Sequence, residues 1–203
     1  MISDSQFIIV DLETTGLVPS LDKIIEIAAV KVVNGQIVEE WDSLVNPGVY
    51  VPEEVSNFTG ITTEMVAGAP SFLELKDKYF DFMGEKGIFV AHNVDFDREF
   101  IMSHLPEDGR ENMDLPYLCT IQLARHVHPN LSKYNLGDLA KTFNVELPQA
   151  HRALNDAKAT AELFIKFMNV LRLGGLKHLG DIPVLKNYKK ISEDEVEGQG
   201  SLF

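Results

Sequence analysis

Phe7-Ile8-Ile9-Val10 is an unbroken apolar run, the pattern of a strand buried on both faces. "KIIEIAAVKVV" repeats it with β-branched residues, and "QIVEEWDSLV" returns after Asn34-Gly35, a dipeptide that favours a tight hairpin turn. These runs predict three strands with an antiparallel start. Short helical pieces follow in "PEEVSNFTG" and "TTEMVAG". An amphipathic helix is then expected over 71–83, where Ser71 and Glu74 have the spacing of a capping box. "GIFVAHN" reads as a buried strand and "VDFDREFIMSHL" as a helix, with further helices expected across 119–127 and 135–143. A last, long helix runs to about Leu171. Its apolar positions Ala157, Ala161, Phe164, Met168 and Leu171 recur at steps of four and three. Strands followed by mixed strands and helices predict an α/β fold, a mixed sheet flanked by helices.

The pattern then fades. "RLGGLKHLGDIPVLKNYKK" is punctuated by glycine, and the residues from Ser192 onward are too polar to fold by themselves. The expected organisation is one domain over 1–175, a transition segment over 176–191 and an acidic flexible tail over 192–203, with no internal repeat. No apolar run approaches the length of a membrane span, and "MISDSQF" lacks the basic and apolar regions of an export signal. The single cysteine, Cys119, fits a reducing compartment, so the expected location is cytoplasmic and off the membrane.

Charge changes the picture. The 203 residues carry 18 basic and 31 acidic side chains, a net charge of −13. Glu193, Asp194, Glu195 and Glu197 of the tail supply only part of the excess. An acidic body is the opposite of the footprint expected for tight duplex binding. If the protein handles nucleic acid, it should grip few phosphates and need help to stay on its substrate.

At the polar end of the first strand stand Asp11 and Glu13. Positions i and i+2 of a strand share a face, so the two carboxylates project together while Leu12 turns into the core. Their repulsion can be relieved by a shared proton, a neighbouring base or a bound divalent cation. No basic residue occurs nearby before Lys23, which favours a cation, although two hydrated acids at a strand end explain the stretch alone equally well.

Three separated segments narrow the choice: "DLETTG", "AHNVDFDREF" and "HRALNDA". Together they resemble the DEDDh 3′–5′ exonuclease family, whose motifs D-x-E-T-T-G, H-N-x-x-F-D and H-x-x-x-x-D occur here in order over roughly 7–171. Within the family the chain looks most similar to the proofreading, epsilon-type exonuclease subunits of bacterial DNA polymerase III; oligoribonucleases typically carry Met in place of Thr14. The resemblance implies a ribonuclease H-like sheet. It further implies two divalent cations, Mg2+ or Mn2+, held by Asp11, Glu13, Asp97 and Asp156, with His151 as general base. Four carboxylates against two divalent ions balance in charge, and two-cation hydrolysis of a phosphodiester needs such a set. Asp95, two residues short of the motif position, is then a bystander. The same resemblance implies that Thr14, Thr59, Gly60, Ile61 and Phe96 hold the terminal nucleotide, and His92 and Asn93 are expected to line the substrate pocket. His151 stands five residues before Asp156, about 140° apart on a regular helix, so it should sit on the loop that precedes the helix.

The resemblance therefore implies a 3′–5′ exonuclease acting on single-stranded 3′ ends of DNA, or of RNA, and releasing nucleoside 5′-monophosphates in replication proofreading or repair. No motif residue decides between DNA and an exoribonuclease of the ribonuclease T or oligoribonuclease kind. A non-catalytic polymerase or clamp accessory is the reading from another class, and five intact catalytic positions argue against it. "QGSLF" offers Gln199, Leu202 and Phe203, an arrangement similar to the short peptides by which bacterial proteins dock on the sliding clamp, with Gly200 where Leu is usual. Tethering to a clamp would offset the weak grip of an acidic body through effective concentration. Direct attachment to a DNA polymerase subunit is a further expected partnership, although no sizeable second domain is evident to carry it.

Overall fold

The computed structural model describes residues 5–188. Gln199, Leu202 and Phe203 lie outside them. Six strands form one mixed sheet in the order β3-β2-β1-β4-β5-β6. β1 (Gln6–Thr14) pairs antiparallel with β2 (Ile24–Val33), which pairs antiparallel with β3 (Gln36–Leu44). Asn34 and Gly35 turn that hairpin with φ of 53° and 73°, the double left-handed geometry a two-residue turn requires. On its other side β1 runs parallel to β4 (Gly87–Ala91), which runs parallel to β5 (Tyr117–Cys119); β6 (Leu185–Lys186) closes the edge antiparallel to β5.

The continuous apolar run of β1 is explained by its central place, where both faces are covered. Ile8, Val10 and Leu12 enter the layer packed by α3 (Phe72–Met83) and α4 (Val94–His104). Phe7 and Ile9 enter the opposite layer with α5 (Thr120–Val127), α6 (Leu136–Thr142) and α7 (Ala153–Leu173). The rings of Phe7 and Phe164 meet there with centroids 4.8 Å apart. Phe164 is fully buried, so truncating it to Ala should cost about 3–5 kcal/mol. A smaller cluster around Ile25, Val51, Ile61 and Val66 anchors α1 (Glu53–Thr59) and α2 (Thr63–Val66). The expected capping box is present at α3, where Glu74 accepts the Ser71 amide at 2.8 Å.

Two elements depart from the pattern read along the chain. The helix expected over 119–127 begins only at Thr120, because Tyr117–Cys119 pair with Phe89, Val90 and Ala91 as a strand. Three residues are too few for periodicity to register. The transition segment carries β6, and Leu176, Leu179, Ile182, Val184 and Leu185 pack against the core under α7. Among the described residues no helix is long and apolar enough to cross a membrane.

This topology puts β1 and β4 side by side and parallel at the centre of the sheet. Their carboxyl ends open onto one crevice, the usual place for a ligand in an open α/β sheet.

Candidate active site

A cleft of about 560 Å³ lies at those strand ends, and Asp11, Glu13, Asp97, His151 and Asp156 all line it. Three elements deliver them. Residues 7, 9, 11 and 13 share one face of β1, so Asp11 and Glu13 continue the face that Phe7 and Ile9 bury under α7. The first turn of α7 carries Asp156, and the first turn of α4, from the opposite layer, carries Asp97. A register shift between Glu13 and Thr14 ends the regular pairing with β2 at the rim of the cleft.

Of the pocket residues expected from the sequence, Thr14, Thr59, His92 and Phe96 line the cleft. Gly60, Ile61 and Asn93 are not among its lining residues. Ile61 is fully buried in the small core with Val51 and Val66, and its amide is taken by the Thr59 hydroxyl at 3.1 Å. Gly60 is the left-handed C-cap of α1, at φ 74°, and Asn93 holds the left-handed N-cap position of α4, at φ 78°. Asp95 points away: its side chain is 60% exposed and faces Lys186, whereas Asp97 is 4% exposed.

The electrostatics of the cleft are those of crowded acids. Burial first, then the charges of Asp97, Asp156 and Glu13, hold Asp11 well above the ordinary carboxylate range. Glu13 is pushed up to about 8, by burial and then by Asp156 and Glu26, with Arg152 opposing. Asp97 is raised by burial, against the pull of its own amide and that of Leu12, with Glu13 adding to the rise. Asp156 is raised by burial too, although the His151 amide donates to its Oδ2 at 3.1 Å. Its Oδ1 is buried with no hydrogen-bond partner. An orphaned carboxylate oxygen beside three more acids is a set of hard oxygen donors short of a cation. One ligand atom each of Glu13, His151 and Asp156 lie within 4.8 Å of one another, close enough to hold one.

His151 sits on the loop before α7, as its spacing implied, in the left-handed region at φ 67°. Its imidazole stacks on Phe58, with ring centroids 3.7 Å apart. His92 places Nδ1 2.9 Å from the Thr120 hydroxyl, and burial holds its pKa down to about 4, so the ring stays neutral.

Two features escaped the sequence. Phe58 is one. The other is the base near Glu13 that the sequence placed no closer than Lys23: Arg152, next to His151, reaches Glu26 on β2 with its Nη2 2.6 Å from Oε1. The signal was present in Glu26, an acid inside the apolar run "KIIEIAAVKVV" that needs a partner once buried.

A mixed sheet sandwiched by helices, with acids from β1, α4 and α7 gathered at one crevice, defines a nuclease-like hydrolase, and comparison with known proteins agrees. The family model described as Exonuclease matches residues 8–164, and the chain belongs to that family; it is a 3′–5′ exonuclease with a ribonuclease H-like fold. It is 39% identical to the DNA polymerase III subunit epsilon of Aquifex aeolicus, over 92% of this chain and 91% of that one. A PolC-type DNA polymerase III from Caldanaerobacter subterraneus is 40% identical over 88% of this chain, which spans only 13% of that longer protein. Among solved structures, Exonuclease X in complex with 5′ overhanging duplex DNA superposes with a TM-score of 0.68 at 35% identity, over 84% of this chain and 94% of the other. Exonucleases of this family normally use divalent metals.

Proposed function

We propose that this exonuclease removes nucleotides from single-stranded 3′ ends of DNA and releases nucleoside 5′-monophosphates, in replication proofreading or repair. The observation that carries the reading is the convergence of Asp11, Glu13, Asp97 and Asp156, from three distant segments, on one cleft beside His151. DNA as the substrate is supported by the likeness to a polymerase III epsilon subunit and to an exonuclease solved with DNA. Relatives that are polymerase chains themselves support association with a polymerase and work in the cytoplasm. The peptide containing Gln199, Leu202 and Phe203 is proposed to dock on the sliding clamp.

Asp11, Glu13, Asp97 and Asp156 would hold two Mg2+ or Mn2+ ions. Bound there, such ions would supply charge neutralisation at the phosphate, activation of the attacking water and stabilisation of the leaving 3′ oxygen. The chain's own groups do the rest. The crowding of carboxylates, costly in the free protein, is what divalent cations would relieve. His151, held on its loop over Asp156, takes a proton from the attacking water. Thr14, Thr59 and Phe96 border the space for the terminal nucleotide, and the neutral His92 ring borders it without adding charge.

The test is degradation of matched DNA and RNA single strands, labelled at the 5′ end, with Mg2+ or Mn2+ and with a chelator. A ladder shortening from the 3′ end of DNA, dependent on metal and abolished by Asp97→Ala, is expected. Faster loss of the RNA strand would move the substrate to RNA, and no loss of either would leave a binding module.

A further inference from the structure

We propose that the Glu26–Arg152 ion pair is a positioning device for His151, so that Arg152 acts in catalysis through its neighbour rather than by touching substrate. The inference rests on the reading of His151 as general base.

Glu26 is 1% exposed, near the start of β2, directly across from Glu13 in the β1–β2 ladder. Its carboxylate receives Arg152 Nε at 3.2 Å on both oxygens and Arg152 Nη2 at 2.6 Å on Oε1. Its Oε2 also accepts the amide of Ala153 at 2.8 Å, satisfying one of the free N–H groups that open α7. The side chain of residue 152 and the amide of residue 153 are thus both fastened to the sheet. On its other side His151 is fastened by its own amide, which donates to Asp156 Oδ2. His151 therefore hangs between two anchors, one on a strand that borders Glu13 and one on a carboxylate of the cleft.

The backbone explains why anchoring is needed. A non-glycine residue at φ 67° is in a sparsely populated region, kept there only when the surroundings over-determine it. Gln149, two residues earlier, is also left-handed, at φ 52°. Released from Glu26, this stretch would relax toward commoner conformations and carry the imidazole away from the acids.

A plain structural tie is the competing account, and the choice of groups argues against it. A helix N-terminus is capped adequately by a neutral Asn or Ser, and a buried ion pair seldom stabilises more than an apolar pair of similar size. An acid buried across the ladder from Glu13, next to an already crowded acidic cleft, makes sense when geometry is the gain. The guanidinium presents two donors in a rigid fork, which fixes direction as well as distance. Glu26 is the acid it contacts, and the charges of Asp42 and Glu13 act on it as well.

The experiment is a double-mutant cycle on the full chain with a 5′-labelled DNA oligonucleotide and saturating Mg2+. Arg152→Met should lower kcat by about 10- to 100-fold with KM changed less than about twofold, the loss expected when a reacting group is misplaced by about an ångström. Arg152→Lys, which keeps charge without the fork, should recover part of it. In a His151→Ala background Arg152→Met should cause less than about a twofold further loss, since the group it positions is gone. Equal losses in both backgrounds, or a loss borne by KM, would overturn the proposal. Should Arg152→Met fold poorly, the His151 ring resonances of folded Arg152→Lys decide. Shifted and broadened signals are expected, and signals matching the parent would sink the idea. A near-normal His151→Ala rate would instead remove the base itself, an outcome distinct from a crippled His151→Ala beside a normal Arg152→Met.

Discussion

The imidazole of His151 lies against the ring of Phe58, with centroids 3.7 Å apart and planes 30° from parallel. Phe58 itself is 62% exposed at the edge of the cleft. A stacked aromatic pair contributes about 0.5–1.5 kcal/mol beyond burial, equivalent to roughly two- to tenfold in rate if the stack aligns the base. Phe58→Ala is expected to lower kcat by that factor at saturating oligonucleotide, and Phe58→Tyr to keep it. Steady-state rates of the two variants check this.

Removal of His151 should be far more costly. General base catalysis contributes about 10²- to 10⁴-fold, so His151→Ala and His151→Gln should lose turnover in that range. Oligonucleotide affinity, measured by fluorescence anisotropy with Ca2+ in place of Mg2+, should change little. Near-normal turnover in either variant would take His151 out of the mechanism.

Asp97 and Asp95 are separated by two residues and by their surroundings. Asp97 is buried at the cleft, whereas Asp95 faces solvent. Asp97→Ala should reduce activity by orders of magnitude with the fold retained, and Asp95→Ala should leave it within about twofold. Equal damage from both would mean that the wrong acid has been assigned.

The crowded acids also predict how stability follows pH. Glu13 titrates at about 8 in the cation-free fold against an ordinary 4.5, so between those values the folded state keeps a proton that the unfolded state has released. The stability it contributes is fully present below about 4.5 and is lost as pH rises through 8. Asp11 and Asp97 shift in the same direction. In chelator, the melting temperature of the parent should therefore fall relative to Glu13→Gln as pH rises from 4.5 to 8. Millimolar Mg2+ or Mn2+ should restore it, increasingly so at higher pH, because cations bind the deprotonated acids. Thermal melts across pH, with and without metal, give the answer; an unchanged melting curve on adding metal would count against a preformed site.

The proposed clamp peptide can be tested apart from the chemistry. Removing residues 199–203, or changing Leu202→Ala with Phe203→Ala, should abolish binding to a bacterial sliding clamp and leave hydrolysis of short oligonucleotides unchanged. On long, clamp-loaded DNA the shortened protein should be slower, most of all at higher salt, where an acidic body holds phosphates least. Equal clamp binding by both forms would assign the peptide another purpose.

The sequence by itself determined whatever depends on near neighbours. The apolar run of β1, the Asn34-Gly35 hairpin and the Ser71–Glu74 cap are local, and each recurs in the structure because its cause lies within a few residues. Motif spacing likewise picked out the acids of the cleft and put His151 on a loop. Tertiary structure decided what local patterning cannot carry. β5 is a strand only because β4 offers an edge to pair with, and β6 because β5 then offers the next; a run of two or three residues has no period of its own. Ile61 turns inward because the small cluster under α1 buries it completely, and Gly60 before it serves as the exposed cap of that helix. The pairing of Glu26 with Arg152 spans 126 residues. A hydrophobic pattern records that a position is buried but not against what, so the partner of a buried acid is known only when the chain topology brings it there.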